Sequence, residues 1–543
     1  MPKDLLTKIS EKIKKDPEDF QAYQDLYEVA SNEIKVNWKR GLKYLTWESD
    51  VIADHIKNGI GDLGKLYRLH REVLLRAAPW DFDSFLQFVE WNREPEKKFY
   101  MPRRKILRGV VRELQRLADE EIKMLCISMP PGTGKSTLAI FFITWMAGKY
   151  PDDPILTGSH SNSFVRGTYD ECLRIMDEKG EYLWWEVFPN VRVSSTNAKD
   201  CRIDLGERKR FETLEFTSIG TGNAGLYRAA TLLYCDDLVS GIEVALSKER
   251  LDKLWEIYTT DLRQRKIGDS VRELHIATRW SLYDVIGRLE TMYGDDPEAS
   301  FIRVPALDEN DKSNFNYPFN KGFSTKFYHS QREIMEEASW KALYMNEPVE
   351  RNGILFSKDE LRRFYELPEE EPDGIIAVCD TKDKGKDYCV LPIAYQYGNE
   401  FYIVDFICDN GKPEIVEDRL VEALLHYKVH IAQFESNSAG RRIAQAVQEK
   451  VKARGGRTKI TTKYTTANKE TKIIVNSGTI KEKFLFLDPS KQEKEYRKAE
   501  DMLCSYTMAG RNPHDDVPDA LSQLAEYVTN LSNGKVEAFA RPW

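Results

Sequence analysis

The chain has 543 residues, 41% of them hydrophobic and 31% charged, with a formal net charge of −8. That length exceeds one ordinary core, so two or three globular units are expected, and the composition excludes disordered and fibrous chains. No apolar run is long enough to span a bilayer, the N-terminus lacks the apolar core of a signal peptide, and the eight cysteines show neither CxxC pairs nor zinc-ligand spacing. A cytoplasmic protein with no membrane partner is expected. Net acidity argues against a chain that coats nucleic acid over its whole surface but leaves a local basic groove open.

From Asp4 to about Ala78, Lys, Glu and Leu recur at helical spacing, which predicts a helical N-terminal appendage over residues 1–80. A further helix is predicted from Ile106, Leu107, Val110, Val111, Leu114 and Leu117. Beyond it the runs MLCISM, PILTGS, LEFTSI, TLLYCDD and ELHIATRW alternate with helical stretches. Strands separated by helical crossovers imply a mostly parallel sheet in an α/β domain, 81–307. A connector rich in Asn, Ser, Lys and aromatics follows, 308–353. The pattern then restarts with IIAVCDTKDKGKDYCVLPIAYQYGNEFYIVDFICDN, read as three strands in a meander with one turn at Gly398 and Asn399. A helix, the strand HIAQFESN, another helix and a last helix from Pro518 to Leu531 complete a second α/β domain, 354–543. No internal repeat is present.

The stretch MPPGTGKST, Met129 to Thr137, lies between the apolar run MLCIS and the helical run LAIFFITWMAG. Gly132, Thr133, Gly134, Lys135, Ser136 and Thr137 can supply what a nucleoside triphosphate needs: backbone N–H groups around the phosphates, one ammonium on the β/γ oxygens and one hydroxyl on Mg²⁺. A strand before and a helix after set the anion at a helix N-terminus. Met129 stands where the usual pattern has its first glycine, so the tight turn falls to Pro130, Pro131 and Gly132. The second element of such a site is an apolar strand ending in acids, and TLLYCDD fits. Asp236 is the candidate metal carboxylate beside Ser136, and Asp237 the candidate base. Arg228, just ahead of this strand, reads either as a group reaching a γ-phosphate or as a structural ion pair. Thr278, ending a third strand, is positioned to sense the γ-phosphate. ATP with Mg²⁺ is the expected ligand.

MPPGTGKS, the acids of YCDDL, ATRW followed by DVIGRL, and ASWKALYMNEPVERNGILF together resemble the large subunit of a tailed-phage terminase, over about residues 80–530. The departures are Met129, Gly132 and Thr133 where relatives often carry Arg-His, and Ser281 and Leu282 where they often have His-Glu. The resemblance implies a bacteriophage motor that uses ATP to translocate double-stranded DNA into a procapsid and cuts concatemeric DNA with a metal-dependent endonuclease. It implies a ring, a pentamer, on the portal protein during packaging, compatible with a monomer in solution, and a terminase small subunit as partner. The place of action would be the host cytoplasm and, transiently, the procapsid. It further implies an adenine-contacting segment ahead of the phosphate loop, where Tyr100, Met101, Pro102, Arg103 and Arg104 stand here. Arg103 or Arg104 would stack on the base or meet a phosphate, or else the pair is a basic, solvated helix start.

A nuclease using two metals needs carboxylates converging from separate strands and helices, because two Mg²⁺ or Mn²⁺ ions must be neutralised and fixed on the scissile phosphate. Asp380 ends IIAVCD, Glu435 ends HIAQFE, and HDDVPDAL presents Asp515, Asp516 and Asp519. Asp387, beyond a Lys/Gly-rich loop, is a further candidate. An acid ending an apolar strand is costly unless solvated or bound to a cation, so Asp380 and Glu435 are either ligands or strand-end caps. The order of the three acidic segments resembles the RNase H-like fold, the nuclease type that terminase large subunits carry. In the last segment Asp516 is the first choice as metal ligand, Asp515 the second, and Asp519 a support one helical turn on. The basic run from Lys450 to Lys472 reads either as a flexible hairpin or loop along a DNA backbone or as a solvated face.

Two other classes use the same motifs. A helicase or repair ATPase fused to a nuclease would unwind oligonucleotides with ATP; a non-enzymatic scaffold would keep nucleotide as a structural ligand only.

Overall fold

Each of the first four helices, Leu5–Lys15, Phe20–Glu33, Trp38–Asn58 and Leu63–Ala77, is started by a side chain suited to the N-cap. Asp4, Asp19, Asn37 and Asp62 accept from the backbone N–H of Thr7, Ala22, Arg40 and Lys65, a cap contributing about 1 kcal/mol each. The computed structural model describes residues 4–207, 210–220, 227–349, 354–381, 388–437, 440–465, 468–507, 512 and 515–532. The chain divides into two units, Met1–Tyr328 with Lys341–Pro348, and His329–Trp340 with Val349–Trp543. The four helices belong to the first unit and bury Leu6, Ile13, Tyr23, Leu26, Leu45, Ile52, Leu66 and Val73 against one another. No described helix is long and apolar enough to cross a membrane.

The same unit carries an eight-stranded sheet of β1 (Met124–Ser128), β2 (Ile155–Ser159), β3 (Val193–Asn197), β4 (Arg202–Leu205), β5 (Leu214–Ser218), β6 (Leu232–Asp236), β7 (Arg272–Ala277) and β8 (Ala299–Arg303). Its order is β3-β4-β5-β2-β6-β7-β1-β8. Across the sheet the strands run parallel from β5 to β8, and β3 and β4 add an antiparallel edge. β1, β2, β5, β6 and β7 are the runs expected from sequence. β3 has no apolar signal because all of it is exposed, and β8 is only partly buried. Within the stretch expected to be a plain connector, β9 (Asn316–Tyr317) and β10 (Lys321–Gly322) pair as a short hairpin.

The second unit holds a seven-stranded sheet of β11 (Arg362–Phe364), β12 (Gly374–Cys379), β13 (Cys389–Tyr397), β14 (Glu400–Asp409), β15 (Ile431–Glu435), β16 (Lys459–Lys463) and β17 (Phe484–Leu487), ordered β11-β17-β14-β13-β12-β15-β16. β12, β13 and β14 form the antiparallel meander, turning at Gly398 with φ +60°, and β15 and β16 join parallel beside β12. That centre, 3-2-1-4-5 in order of appearance from β12, is the RNase H-like arrangement. The last helix, Asp516–Ser532, begins two residues before Pro518, which its first turn tolerates. The basic run from Lys450 to Lys472 is not one continuous loop: among its described residues only 454–458, 464, 465 and 468 lie outside helix and strand. Its described residues close the helix Gly440–Ala453, form β16 and open the helix Lys469–Lys483.

Glu48, in the middle of the Trp38–Asn58 helix, is fully buried, and neither carboxylate oxygen has a hydrogen-bond partner among the described residues. Burial pushes its pKa well above the ordinary 4.5, so the carboxyl folds protonated. A raised folded-state value means the native chain holds the proton more tightly than the unfolded one, so stability falls as pH climbs past 4.5. Glu48→Leu is expected to stabilise the helical region by about 1–3 kcal/mol at neutral pH and to flatten that decline, read as melting temperature across a pH series.

Candidate active sites

Because β1, β6 and β7 are parallel, their carboxyl ends share one edge, and the loop after β1 leads there into the helix Lys135–Lys149. Gly132 and Gly134 take φ of +72° and +99°, values a side chain resists, which turns the chain sharply into the helix. Met129, where a glycine is usual, is buried and donates its N–H to Ala277 O at 3.3 Å, so it closes the sheet edge. Thr133 Oγ1 donates to Pro130 O at 2.8 Å, and Thr137 lies half-buried in the first helical turn.

Five of the expected residues meet at this edge. Lys135 Nζ donates to Thr278 Oγ1 at 2.8 Å and lies 3.3 Å from Asp237 Oδ2. Ser136 Oγ donates to Asp236 Oδ1 at 3.2 Å. Asp237 is pinned at φ +39°, its Oδ1 accepting from Thr278 N at 2.8 Å and its carbonyl from His160 Nδ1 at 2.7 Å. Asp236 is fully buried and accepts from Tyr234 at 2.5 Å; burial, then the Asp237 charge, raises its pKa. A buried carboxyl raised in this way gains from a cation more than a solvated one does. The turn after β7 that fixes Thr278 is held by Arg279, 1% exposed, whose Nε lies 3.0 and 3.2 Å from the Asp284 oxygens. Asp284 also caps the next helix by accepting from Gly287 N at 2.8 Å, so the ATRW and DVIGRL motifs make one buried ion pair.

Phe99, Tyr317 and Phe323 lie around the loop without a strong signal in sequence, and the first two flank the expected Arg103. The guanidinium of Arg103 lies 4.8 Å from the Phe99 ring and 5.0 Å from the Tyr317 ring of β9, and its Nε is buried without a partner among the described residues. A Cβ at Gly134 would come within 2.8 Å of Phe99, and one at Gly132 within 2.9 Å of Phe323, just beyond β10. Aromatic surfaces thus line the loop, with Arg103 beside them.

Two expectations are corrected here. Arg104 does not face the loop: its Nη2 donates to Asp83 Oδ2 at 2.6 Å and to Asp50 Oδ1 at 3.2 Å, tying the helix Arg104–Ala118 to the helices Phe82–Val89 and Trp38–Asn58. Arg228 precedes β6, whose carboxyl end carries the acids, so it lies at the opposite edge of the sheet, about 16 Å of strand away. There its guanidinium packs 5.6 Å from the Phe211 ring and donates to Tyr227 O at 2.9 Å, while its backbone N–H donates to Glu215.

In the second unit Cys379 pairs with Phe434 across parallel β12 and β15, so Asp380 and Glu435, the next residues, end side by side. The helix Asp516–Ser532 brings Asp519 onto them, and one oxygen of each of the three acids lies within 4.8 Å of the others. Asp519, placed below Asp516 from sequence, is the acid of this helix that joins Asp380 and Glu435 in the close group. The two acids share one helix face, but Asp516 stands one turn earlier, where it accepts from Tyr388 N at 3.1 Å and lies 3.3 Å from Lys469 Nζ. Asp515, before the helix starts, lies 2.8 Å from Lys469. Asp387 falls outside the described residues. Glu435 is oriented by Asn437 Nδ2 at 2.8 Å and Gln523 Nε2 at 3.3 Å, and Gln523, four residues after Asp519 in an apolar helix, was the overlooked polar signal. Burial, reinforced by Asp519 and Glu435, pushes Asp380 well above the usual carboxylate range; burial also raises Asp519. Hard oxygen donors this close and this buried suit a divalent cation of the Mg²⁺ or Mn²⁺ type. Lys472 pairs with Asp519, and Lys469 lies among the acids.

With Lys135 at the centre of the phosphate loop's contacts, Lys135→Ala is expected to lower nucleotide turnover by at least about a hundredfold. Arg228→Ala should change it by less than about threefold. Steady-state hydrolysis of ATP by the two variants checks both expectations.

No protein-family model matches this sequence, and no curated protein matches it. Solved structures with similarity to the chain include the large terminase of a thermophilic bacteriophage in complex with ADP, 12% identical, covering 79% of this chain and 100% of that one, with a TM-score of 0.45. The HK97 bacteriophage large terminase is 10% identical over 77% of this chain and 94% of its own, with a TM-score of 0.32. The Phi-28 gp11 DNA packaging motor is 10% identical over 78% and 98%, with a TM-score of 0.24. Solved structures similar to this chain thus include phage large terminases and a DNA packaging motor.

Proposed function

We propose that this chain is a terminase large subunit, with one site that hydrolyses ATP to move double-stranded DNA into a procapsid and a second that cuts concatemeric DNA. The observation that carries the reading is the pair of distinct constellations in separate units: Lys135, Ser136, Asp236, Asp237 and Thr278 on a phosphate loop, and Asp380, Glu435 and Asp519 at strand ends of an RNase H-like sheet. The portal, a small subunit and a homomeric ring are the partners that this reading entails.

In the first site the loop amides cradle the triphosphate and Lys135 exchanges its present contacts for β/γ oxygens. Ser136 and Asp236 would hold Mg²⁺. Asp237 then orients the attacking water, kept in place by the Thr278 amide and by His160. Arg103, with Phe99 and Tyr317 on its flanks, offers the base a cationic and aromatic wall. In the second site Asp380, Glu435 and Asp519 would hold one divalent ion, with Asp516 and Asp515 available to a second. When bound, such ions neutralise the scissile phosphate and activate water. Asn437 and Gln523 keep Glu435 directed at the cluster.

Cleavage of plasmid in Mn²⁺ and hydrolysis of ATP, measured on the same preparations, test the separation. Asp380→Asn, Glu435→Gln and Asp519→Asn are each expected to lower cleavage by more than about a hundredfold and to leave hydrolysis within about twofold. Lys135→Ala should do the reverse. Loss of both activities in one of these variants, or cleavage surviving Asp519→Asn but not Asp516→Asn, would contradict the assignment.

A further inference from the structure

Five carboxyl groups, Asp380, Glu435, Asp515, Asp516 and Asp519, crowd one end of the second unit's sheet, and two ammonium groups from the helix Lys469–Lys483 reach them. The two lysines differ in kind. Lys472 has a side chain only 6% exposed and, among the described residues, forms an ion pair with Asp519 alone, which fixes that carboxylate. Lys469 is 35% exposed, and its Nζ lies 2.8 Å from Asp515, 3.3 Å from Asp516, 3.7 Å from Asp519 and 3.9 Å from Asp380. An ammonium has three N–H groups and cannot direct one at each of four acids, so it is held by charge more than by directed bonds. It is also the first residue of its helix, where the positive end of the macrodipole repels a cation. Local structure disfavours Lys469 there; the acids keep it.

We propose that Lys469 is a positioning residue, an internal counter-cation that preassembles the acid cluster and is exchanged for a divalent metal ion when the ion binds. This rests on the nuclease reading of the cluster. Its side chain is solvent-accessible on one side and long enough to leave, whereas Lys472 stays as the fixed partner of Asp519. The resident ammonium spares the metal-free cluster the mutual repulsion of its buried acids, and its displacement sets a threshold that metal must exceed.

Mn²⁺ binding to the full chain, read by titration calorimetry and by the electron paramagnetic resonance of free Mn²⁺, tests the proposal without reference to activity. Lys469→Ala and Lys469→Gln are expected to bind Mn²⁺ at least about tenfold more tightly than wild type, since no resident charge then competes. Both variants should melt below wild type without metal and show the larger rise in melting temperature when Mn²⁺ is added. A lysine with a merely structural role would lower both melting temperatures alike. Asp380→Asn separates the two levels of the argument. If it abolishes Mn²⁺ binding while both Lys469 variants bind no more tightly than wild type, the counter-cation proposal is overturned and the nuclease reading stands. If Mn²⁺ binding is indifferent to Asp380→Asn, the metal site itself fails and the proposal with it.

Discussion

Carboxylates held out of water near one another are the constraint around which both units are built. Asp236 and Asp237 end one strand; Asp380 and Glu435 end two neighbours; in each unit an ammonium has moved in among them. Removing such charges from solvent costs several kcal/mol per ion unless an opposite charge is close. Lys135 and Lys469 offset that cost in the chain alone. In each unit the protein's own cation thus stands among the clustered acids.

Parallel strand direction does the positioning. In the first sheet it gathers the phosphate loop, the acids of β6 and Thr278 after β7 at a single edge, and it sends Arg228 to the other. In the second, the in-register pairing of β12 with β15 delivers Asp380 and Glu435 side by side with no special loop. The helix Asp516–Ser532 then has only to present one turn. Backbone geometry thus sets the coarse placement, and hydrogen bonds from Asn437, Gln523, Tyr234 and Thr278 set the finer orientation.

Much of this is readable from residues. Apolar runs ending in acids mark β6, β12 and β15, and GKS marks the loop, because those signals are local. The ends of the second sheet and the edge strand β3 are less legible, since β3 is polar and fully exposed and has no periodicity to find. Arg228 is misjudged from sequence although the means to place it are present: it precedes a strand whose far end bears the acids. Asp519 ranks below Asp516 in sequence because the two share one helix face, and only the tertiary fit of that helix against β12 and β15 decides which turn meets Asp380 and Glu435. Lys469 is hidden in a basic run whose members look alike until the fold separates them. Likewise Tyr317 and Phe323 come from a connector with no regular pattern, and only tertiary contact brings them to the loop.

The Phe323 ring against Gly132 has a corollary for substitution. A Cβ at Gly132 would stand 2.9 Å from the tip of that ring, so with the ring where it is the aromatic group and the glycine fit as a pair from distant parts of the chain. An arginine at position 132 would need the Phe323 ring to move aside and would have to accept a φ of +72°, so what either position tolerates depends on the other.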